Sequence, residues 1–192
     1  MEVAISLFCF LAAVVPLIHT ETTNCHIPAF VATEATAVLT GDNSLDIFGT
    51  ILFTETNGLG AVTLTGTISN LTKGEHGFHI HAGGNIRDGC DGAGDHYNPD
   101  GYTHSGLNDA QRHAGDLGNI FANGKGIATV DIQDIAFTLN GEYSVVGRTL
   151  VVHQDPDDYG RGGESDSAKS GHSGKRIACG VIGISAEKRA DA

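Results

Sequence analysis

Short apolar runs, separated by turn-forming residues, recur along most of the chain. Several runs alternate apolar with polar side chains, which is the period of a strand that buries one face. Clusters of Gly, Asn and Asp close the runs, and such clusters are typical of hairpin turns. The pattern predicts eight strands, at residues 36–40, 47–54, 62–69, 76–81, 117–122, 127–132, 148–153 and 177–184. A ninth run, 136–139, is a weaker strand candidate.

Regularly spaced short strands indicate an all-β domain, either a sandwich or a flattened barrel. The 192 residues suffice for one domain with a substantial core, and 27 glycines with no tryptophan suit a protein with many turns. Two segments, 83–115 and 154–175, interrupt the regular spacing. Because loops of this length inside a compact domain are usually functional, we expect them to build the site.

Residues 3–18 are almost entirely apolar, although Glu2 rather than a lysine or arginine follows the first residue. Such a run is typical of a secretory signal peptide, here residues 1–20, and an uncleaved membrane anchor is the alternative. No later segment is apolar enough to span a bilayer, so we expect a secreted, extracellular protein without stable membrane insertion after cleavage. The expected division is a signal at 1–20, an extension at 21–32, one domain at 33–185 and a tail at 186–192.

Acidic side chains outnumber basic ones by 23 to 11, which gives a formal net charge of −12. This balance argues against a nucleic-acid partner, because phosphate contacts need a basic surface. A small anionic substrate is compatible with it, since a few cations beside one cleft can set the local field.

Metal-ligating side chains are concentrated in one stretch, which carries His79, His81, His96, His104, His113 and Asp116. In the run G-F-H-I-H, apolar residues alternate with His79 and His81, so one strand face is apolar and the other holds two imidazoles. Paired imidazoles on a rigid strand are a ready chelate for copper or zinc. The motif H-x-x-D at the end of the stretch lets a nitrogen and a carboxylate oxygen converge on one ion.

This stretch, with G-R-T-L-V-V-H at 147–153 and R-I-A-C-G-V-I-G at 176–183, resembles the Cu,Zn superoxide dismutases over roughly residues 33–185. The resemblance implies the architecture for which that family is itself a known example, an eight-stranded antiparallel Greek-key sandwich or flattened barrel, immunoglobulin-like, with two long functional loops. It implies copper on His79, His81, His96 and His153. It implies zinc on His96, His104, His113 and Asp116, so that His96 bridges the two ions.

Three charged residues also match functional positions of the family. Asp157, in D-P-D-D-Y-G, is implied to hydrogen-bond His79 and His104 and so to orient both rings. Arg176 is implied to line the substrate channel, where a guanidinium stays charged and can dock an anion. Lys169 is implied to assist in steering that anion.

The cysteines and the remaining histidines complete the expected chemistry. Cys90 and Cys179 match the disulfide pair of the family, while Cys25 is either a free thiol or an intermolecular bridge. We expect His76, which precedes the ligand strand, to make a structural hydrogen bond. We expect His172, in the second long loop, to face solvent.

The activity that the resemblance implies is that of a superoxide dismutase, an oxidoreductase of antioxidant defence. Such an enzyme cycles copper between Cu(II) and Cu(I) and converts superoxide to O2 and H2O2, with zinc supporting the site; Arg176 and His96 are the implied catalytic residues. The alternative is a non-enzymatic copper or zinc carrier with the same sandwich. Delivery domains of that kind typically lack part of the copper set, whereas this chain carries all four copper ligands and Arg176.

Two features concern the surface of the protein. Gly83 stands where the family usually carries an aromatic residue that contributes to the dimer contact. Loss of a large apolar side chain weakens the case for the usual homodimer and leaves assembly open. The sequon Asn70-Leu71-Thr72 lies in a turn before the ligand strand, which predicts a glycan on Asn70.

Overall fold

The computed structural model describes residues 30–55 and 60–189. Its eight strands are β1 (Phe30–Gly41), β2 (Phe48–Glu55), β3 (Val62–Ser69), β4 (Gly74–His81), β5 (Asp116–Ala122), β6 (Ala128–Asp134), β7 (Thr149–His153) and β8 (Arg176–Arg189). Helical structure in these two ranges is limited to α1 (Ser167–Ser170) and two 3-10 turns, Asp42–Ser44 and Cys90–Ala93. None of it is long and apolar enough to cross a membrane. The expected signal peptide, most of the extension at 21–32 and Cys25 lie outside the described residues.

The strands close into one barrel in the order β1-β2-β3-β6-β5-β4-β7-β8, and every neighbouring pair is antiparallel. The neighbours β3–β6 and β4–β7 are not consecutive in the chain, so two connections cross between hairpins, which is a Greek-key arrangement. The predicted all-β, eight-stranded antiparallel fold is confirmed, in its barrel form.

Pairing of the two terminal strands extends beyond the limits expected for the domain. β1 and β8 pair from Phe30 opposite Arg189 to Gly41 opposite Ala178. The barrel therefore includes residues on both sides of the expected range 33–185. Over this range the backbone groups of β1 and β8 satisfy each other.

The run 136–139 does not form a strand, and Thr138 makes only an isolated bridge to Ser144. Its apolar residues Phe137 and Leu139 are nonetheless fully or almost fully buried in the core. The apolar positions of this run are therefore explained by side chains that enter the core, and not by a strand paired within the sheet.

The strand β4 buries both of its faces, as does its neighbour β7, whose five residues are all buried. In β2, buried and more accessible residues alternate, as in a strand with one solvent face. In β4, six consecutive residues, His76–His81, are buried. Phe78 and Ile80 belong to the hydrophobic core inside the barrel. His79 and His81 point the other way, where the two long loops cover them.

Candidate metal centre

The barrel strands bring histidines from distant parts of the chain to one outer face. β4 supplies His79 and His81, and its neighbour β7 ends at His153. His96 forms an isolated β-bridge with His81, so the loop 83–115 returns against β4. Because strands and a backbone bridge carry these side chains, the barrel itself sets their positions.

The first cluster, which we call the four-histidine cluster, consists of His79, His81, His96 and His153. One ligand nitrogen from each residue lies within 4.8 Å of the others, and all four residues are buried. His79 Nδ1 and His96 Nε2 are buried and have no hydrogen-bond partner among the described residues. A buried polar atom without a partner is costly, and an ion among these nitrogens would satisfy both.

Three of the four rings have an oxygen acceptor on their outer side. The contacts are His79 Nε2 to Asp157 Oδ2 at 2.9 Å, His81 Nδ1 to Gly94 O at 2.7 Å, and His153 Nδ1 to Gly174 O at 3.2 Å. A neutral imidazole that donates its outer N–H keeps a lone pair on its inner nitrogen. These contacts therefore direct three lone pairs into the cluster.

The second cluster consists of His96, His104, His113 and Asp116. The Nδ1 atoms of its three histidines lie 2.8, 2.9 and 3.2 Å from Asp116 Oδ1. At 2.9 Å, His104 Nδ1 is within ion-pair distance of this oxygen, yet the two atoms are not oriented for a hydrogen bond. That orientation suits a lone pair and a carboxylate oxygen that face a common point between them. Three nitrogens and one oxygen are a donor set that zinc accepts.

Burial and hydrogen bonding decide which side chains of the two clusters are charged. Burial is the main cause that lowers the pKa of His79, His81 and His96, and it lowers the pKa of His153 to about 3. All four rings are therefore neutral at neutral pH, the form that ligates metal.

The acidic side of the site behaves differently. Burial raises the pKa of Asp116, but its close contacts with His104, His113 and His96 outweigh it and hold the pKa well below the ordinary value. Burial lowers the pKa of His104, but the adjacent carboxylates of Asp116 and Asp157 outweigh it and raise the pKa to about 9. The second cluster therefore holds an ionised carboxylate and, without metal, a proton on His104.

Asp157 joins the two clusters from the side away from the cavity. Its Oδ2 accepts from His79 Nε2 at 2.9 Å and its Oδ1 accepts from His104 Nε2 at 2.8 Å. Asn119 holds the backbone of this residue, donating to Asp157 O at 2.9 Å and accepting from Asp157 N at 2.7 Å. Sequence reasoning missed Asn119, whose only signal is its place on β5 shortly after Asp116.

A cavity of about 260 Å³ opens onto the four-histidine cluster. His81, His96 and His153 line it together with Arg176, whose side chain is 18% exposed. The Arg176 guanidinium donates to the carbonyls of Cys90, Asp91 and Gly94 at 2.9, 3.0 and 2.6 Å. These bonds fix a positive charge beside the cluster. A larger groove of about 820 Å³ contains none of the candidate ligands, so size alone does not mark the site.

The expected disulfide between Cys90 and Cys179 is present and joins the loop 83–115 to β8. Its closure spans 89 residues, and the chain-entropy relation gives roughly 4–5 kcal/mol of stabilisation for a loop of that size. The carbonyl of Cys90 also accepts from Arg176. The disulfide-bonded loop therefore helps to hold the Arg176 guanidinium at the cavity.

The remaining residues singled out from the sequence lie at the surface or in structural positions. His76 is buried, with its two ring nitrogens 2.8 Å from His153 O and 2.9 Å from Thr72 O. His172 is 56% exposed and pairs with Asp166. Lys169 lines the cavity. Asn70 lies in an exposed turn, and its amide nitrogen donates to Asp46 O at 2.7 Å.

Comparison with known proteins agrees with this geometry. Residues 47–182 match the family model described as copper/zinc superoxide dismutase. Over 158 residues the chain is 48% identical to an extracellular superoxide dismutase [Cu-Zn] of Onchocerca volvulus, covering 81% of this chain and 78% of that protein. The crystal structure of the clock protein EA4 is similar, with a TM-score of 0.75 and 40% identity, covering 80% of this chain and 95% of that one. The extracellular relative supports the expectation of a secreted protein.

Proposed function

This chain belongs to the copper/zinc superoxide dismutase family, and we propose that its two buried clusters form the active site of a secreted superoxide dismutase. The four-histidine cluster would hold copper, because it offers neutral imidazole nitrogens and two buried nitrogens without partners. The second cluster would hold zinc, because it offers three nitrogens and one carboxylate oxygen. The observation that carries the proposal is His96, which contributes to both clusters.

Copper supplies the redox chemistry when bound, alternating between Cu(II) and Cu(I) so that one superoxide is oxidised to O2 and a second, with two protons, is reduced to H2O2. Arg176 would dock the anion at the cavity, because its guanidinium is held beside the histidines by three carbonyls. When it is not bound to copper, His96 Nε2 would be free to carry one of the two protons to the substrate, because it has no hydrogen-bond partner among the described residues and His96 lines the cavity.

The residues around the zinc set would orient the bridging ring. Asp116 Oδ1 lies 2.8 Å from His96 Nδ1, which leaves Nε2 of the same ring for the other cluster. Asp157 binds one histidine of each cluster, so it would fix the two rings relative to each other. Such outer carboxylates fix ring orientation and raise the basicity of the ligand nitrogen.

Dismutation by the purified protein, loaded with copper and zinc, tests the proposal. We expect fast decay of superoxide, and we expect Arg176→Ile to lower the second-order rate by about tenfold or more while both metals stay bound. Arg176→Lys serves as the matched control, because it keeps the charge but loses the planar donors. A protein that binds both metals and leaves superoxide decay unchanged would instead be a carrier. Full activity in Arg176→Ile would contradict the role of this arginine.

A further inference from the structure

The mouth of the 260 Å³ cavity carries an ion pair that joins the two long loops. Lys169, on α1, has its Nζ 3.4 Å from Oδ1 of Asp95, the residue before His96. Both side chains are largely exposed, at 68% and 75%, and both line the cavity. An exposed pair of this kind contributes little to stability, because water screens it. The pair therefore affects the electric field at the mouth more than it affects stability.

The charges along this cavity are balanced. Besides the histidines of the four-histidine cluster, its charged lining residues are Asp95, Asp166, Lys169 and Arg176, two acidic and two basic. Asp166 is paired with His172, whose Nδ1 lies 2.7 Å from its Oδ1. Among the described residues, Asp95 has Lys169 as its one ion-pair partner, and Arg176 is engaged elsewhere, by three backbone carbonyls and by Asp91 at 3.9 Å from its Nε. Asp95 therefore offsets the outermost cation of the cavity.

We propose that Asp95 limits the rate at which superoxide is captured, by neutralising Lys169 at the cavity mouth. The proposal rests on the proposed function, because it needs an anionic substrate. The whole chain has a net charge of −12, so an incoming anion is repelled until it meets a local positive field. Superoxide dismutases are among the enzymes in which such local fields steer the substrate. A carboxylate at the mouth reduces that field where the anion enters.

Asp95→Asn tests this inference, because the amide keeps the size of the side chain and removes its charge. We expect the second-order rate with superoxide to rise by about twofold at low ionic strength, as suits one unit charge near the approach path. We expect a steeper fall of that rate with added salt, since more of the attraction is then screened. We also expect azide, a small stable anion, to bind more tightly in a spectral titration of the metal-loaded protein.

Asp131→Asn is the matched control. Asp131 is exposed on β6, where it lies opposite Thr65 of β3 rather than a strand that carries a copper ligand. Asp131→Asn changes the net charge by the same one unit as Asp95→Asn. It therefore separates an effect of charge at the cavity mouth from an effect of total charge. If Asp95→Asn behaves like Asp131→Asn, or is slower than wild type, Asp95 does not limit capture and the inference is wrong. If the metal-loaded wild type itself fails to dismutate superoxide, the proposed function is wrong instead.

Discussion

At the scale of single residues, the site depends on which nitrogen of each ring is engaged. The outer nitrogens of His79, His81 and His153 face oxygen acceptors, so their inner nitrogens are left for an ion. His96 differs, because one of its nitrogens faces Asp116 and the other faces the four-histidine cluster. The local hydrogen bonds, more than the residue types, therefore decide what each histidine can ligate.

His104 gives the metal-free protein a distinctive pH dependence. Its folded pKa is about 9, against about 6.5 when unfolded. A raised folded pKa stabilises the fold fully below pH about 6.5, and this contribution is lost as pH rises through about 9. We therefore expect the melting temperature of chelator-treated protein to decrease as the pH is raised from about 6.5 to about 9. Zinc binding in the same range should release the proton of His104, which calorimetry in two buffers with different ionisation enthalpies would detect.

Two variants separate this effect from other titrations. His104→Gln should flatten the profile, whereas His172→Asn should leave most of it, because solvent screens the exposed His172–Asp166 pair. The histidines whose pKa is lowered by burial change the stability of the fold in the opposite direction: it decreases as the pH falls. They do so only below pH about 6.5, because there the unfolded chain takes up protons before the folded protein does. A melting temperature that stays constant or rises from pH 6.5 to 9 would contradict the assignment of the proton to His104.

At the scale of elements, strands position the ligands and loops complete the site. β4 buries both faces because its outer face is covered by the loops 83–115 and 154–175. The Cys90–Cys179 disulfide ties the first of these loops to β8, and Asp157 ties the second to β4 through His79. The two longest irregular segments are thus held to the barrel at the points where chemistry is proposed.

The turn between β3 and β4 carries the sequon at Asn70. The residue is exposed with φ of 65°, and its amide nitrogen donates to Asp46 O at 2.7 Å and Asp46 Oδ2 at 3.1 Å. A glycan on that nitrogen would alter these contacts, so we expect attachment before the turn has folded. Glycosidase treatment of the secreted protein should increase its gel mobility.

Thr72→Ala is the control for the glycan, because it destroys the sequon and leaves the Asn70 side chain in place. It should migrate like the glycosidase-treated wild type. Asn70→Gln should migrate identically but melt at a lower temperature, since it also removes the contacts with Asp46. Unchanged mobility of the wild type after glycosidase treatment would show that Asn70 is unmodified.

At the scale of the whole molecule, self-association depends on a surface that differs from the family pattern. Gly83 has no side chain to contribute, and a Cβ added there would lie 3.0 Å from Ala93 O. Val38 on β1 and Ile184 on β8 are apolar and 61% and 51% exposed on adjacent strands. These two residues still offer apolar contacts, although Gly83 adds no large aromatic anchor of the kind that usually dominates an interface.

We therefore expect a homodimer that is weaker than usual for the family and dissociates on dilution. Sedimentation velocity over a dilution series measures this, with Cys25→Ser run in parallel to detect a covalent link through that thiol. Val38→Glu should favour the monomer further, because it places a charge among the exposed apolar residues. A tight dimer that is indifferent to dilution, to Cys25→Ser and to Val38→Glu would contradict this expectation.

What the sequence by itself determined is the local pattern. Period-two alternation and turn residues predict the eight strands, and alternation in G-F-H-I-H already puts His79 and His81 on one face. These inferences need only neighbouring residues, because strand geometry is fixed by the backbone. The same local rule failed at 136–139, where burial of Phe137 and Leu139 in the core produces alternation without a strand.

Only the tertiary structure decided which distant groups meet. The pairing of β4 with β7 brings His153 beside His79, and antiparallel neighbours in a barrel can lie far apart in sequence. The backbone clamp of Asn119 on Asp157 and the pair of Asp95 with Lys169 likewise join separate segments. Local periodicity carries no information about such contacts. These contacts arise because the barrel is closed and its ligand face is buried. The two long loops must therefore pack on the same surface.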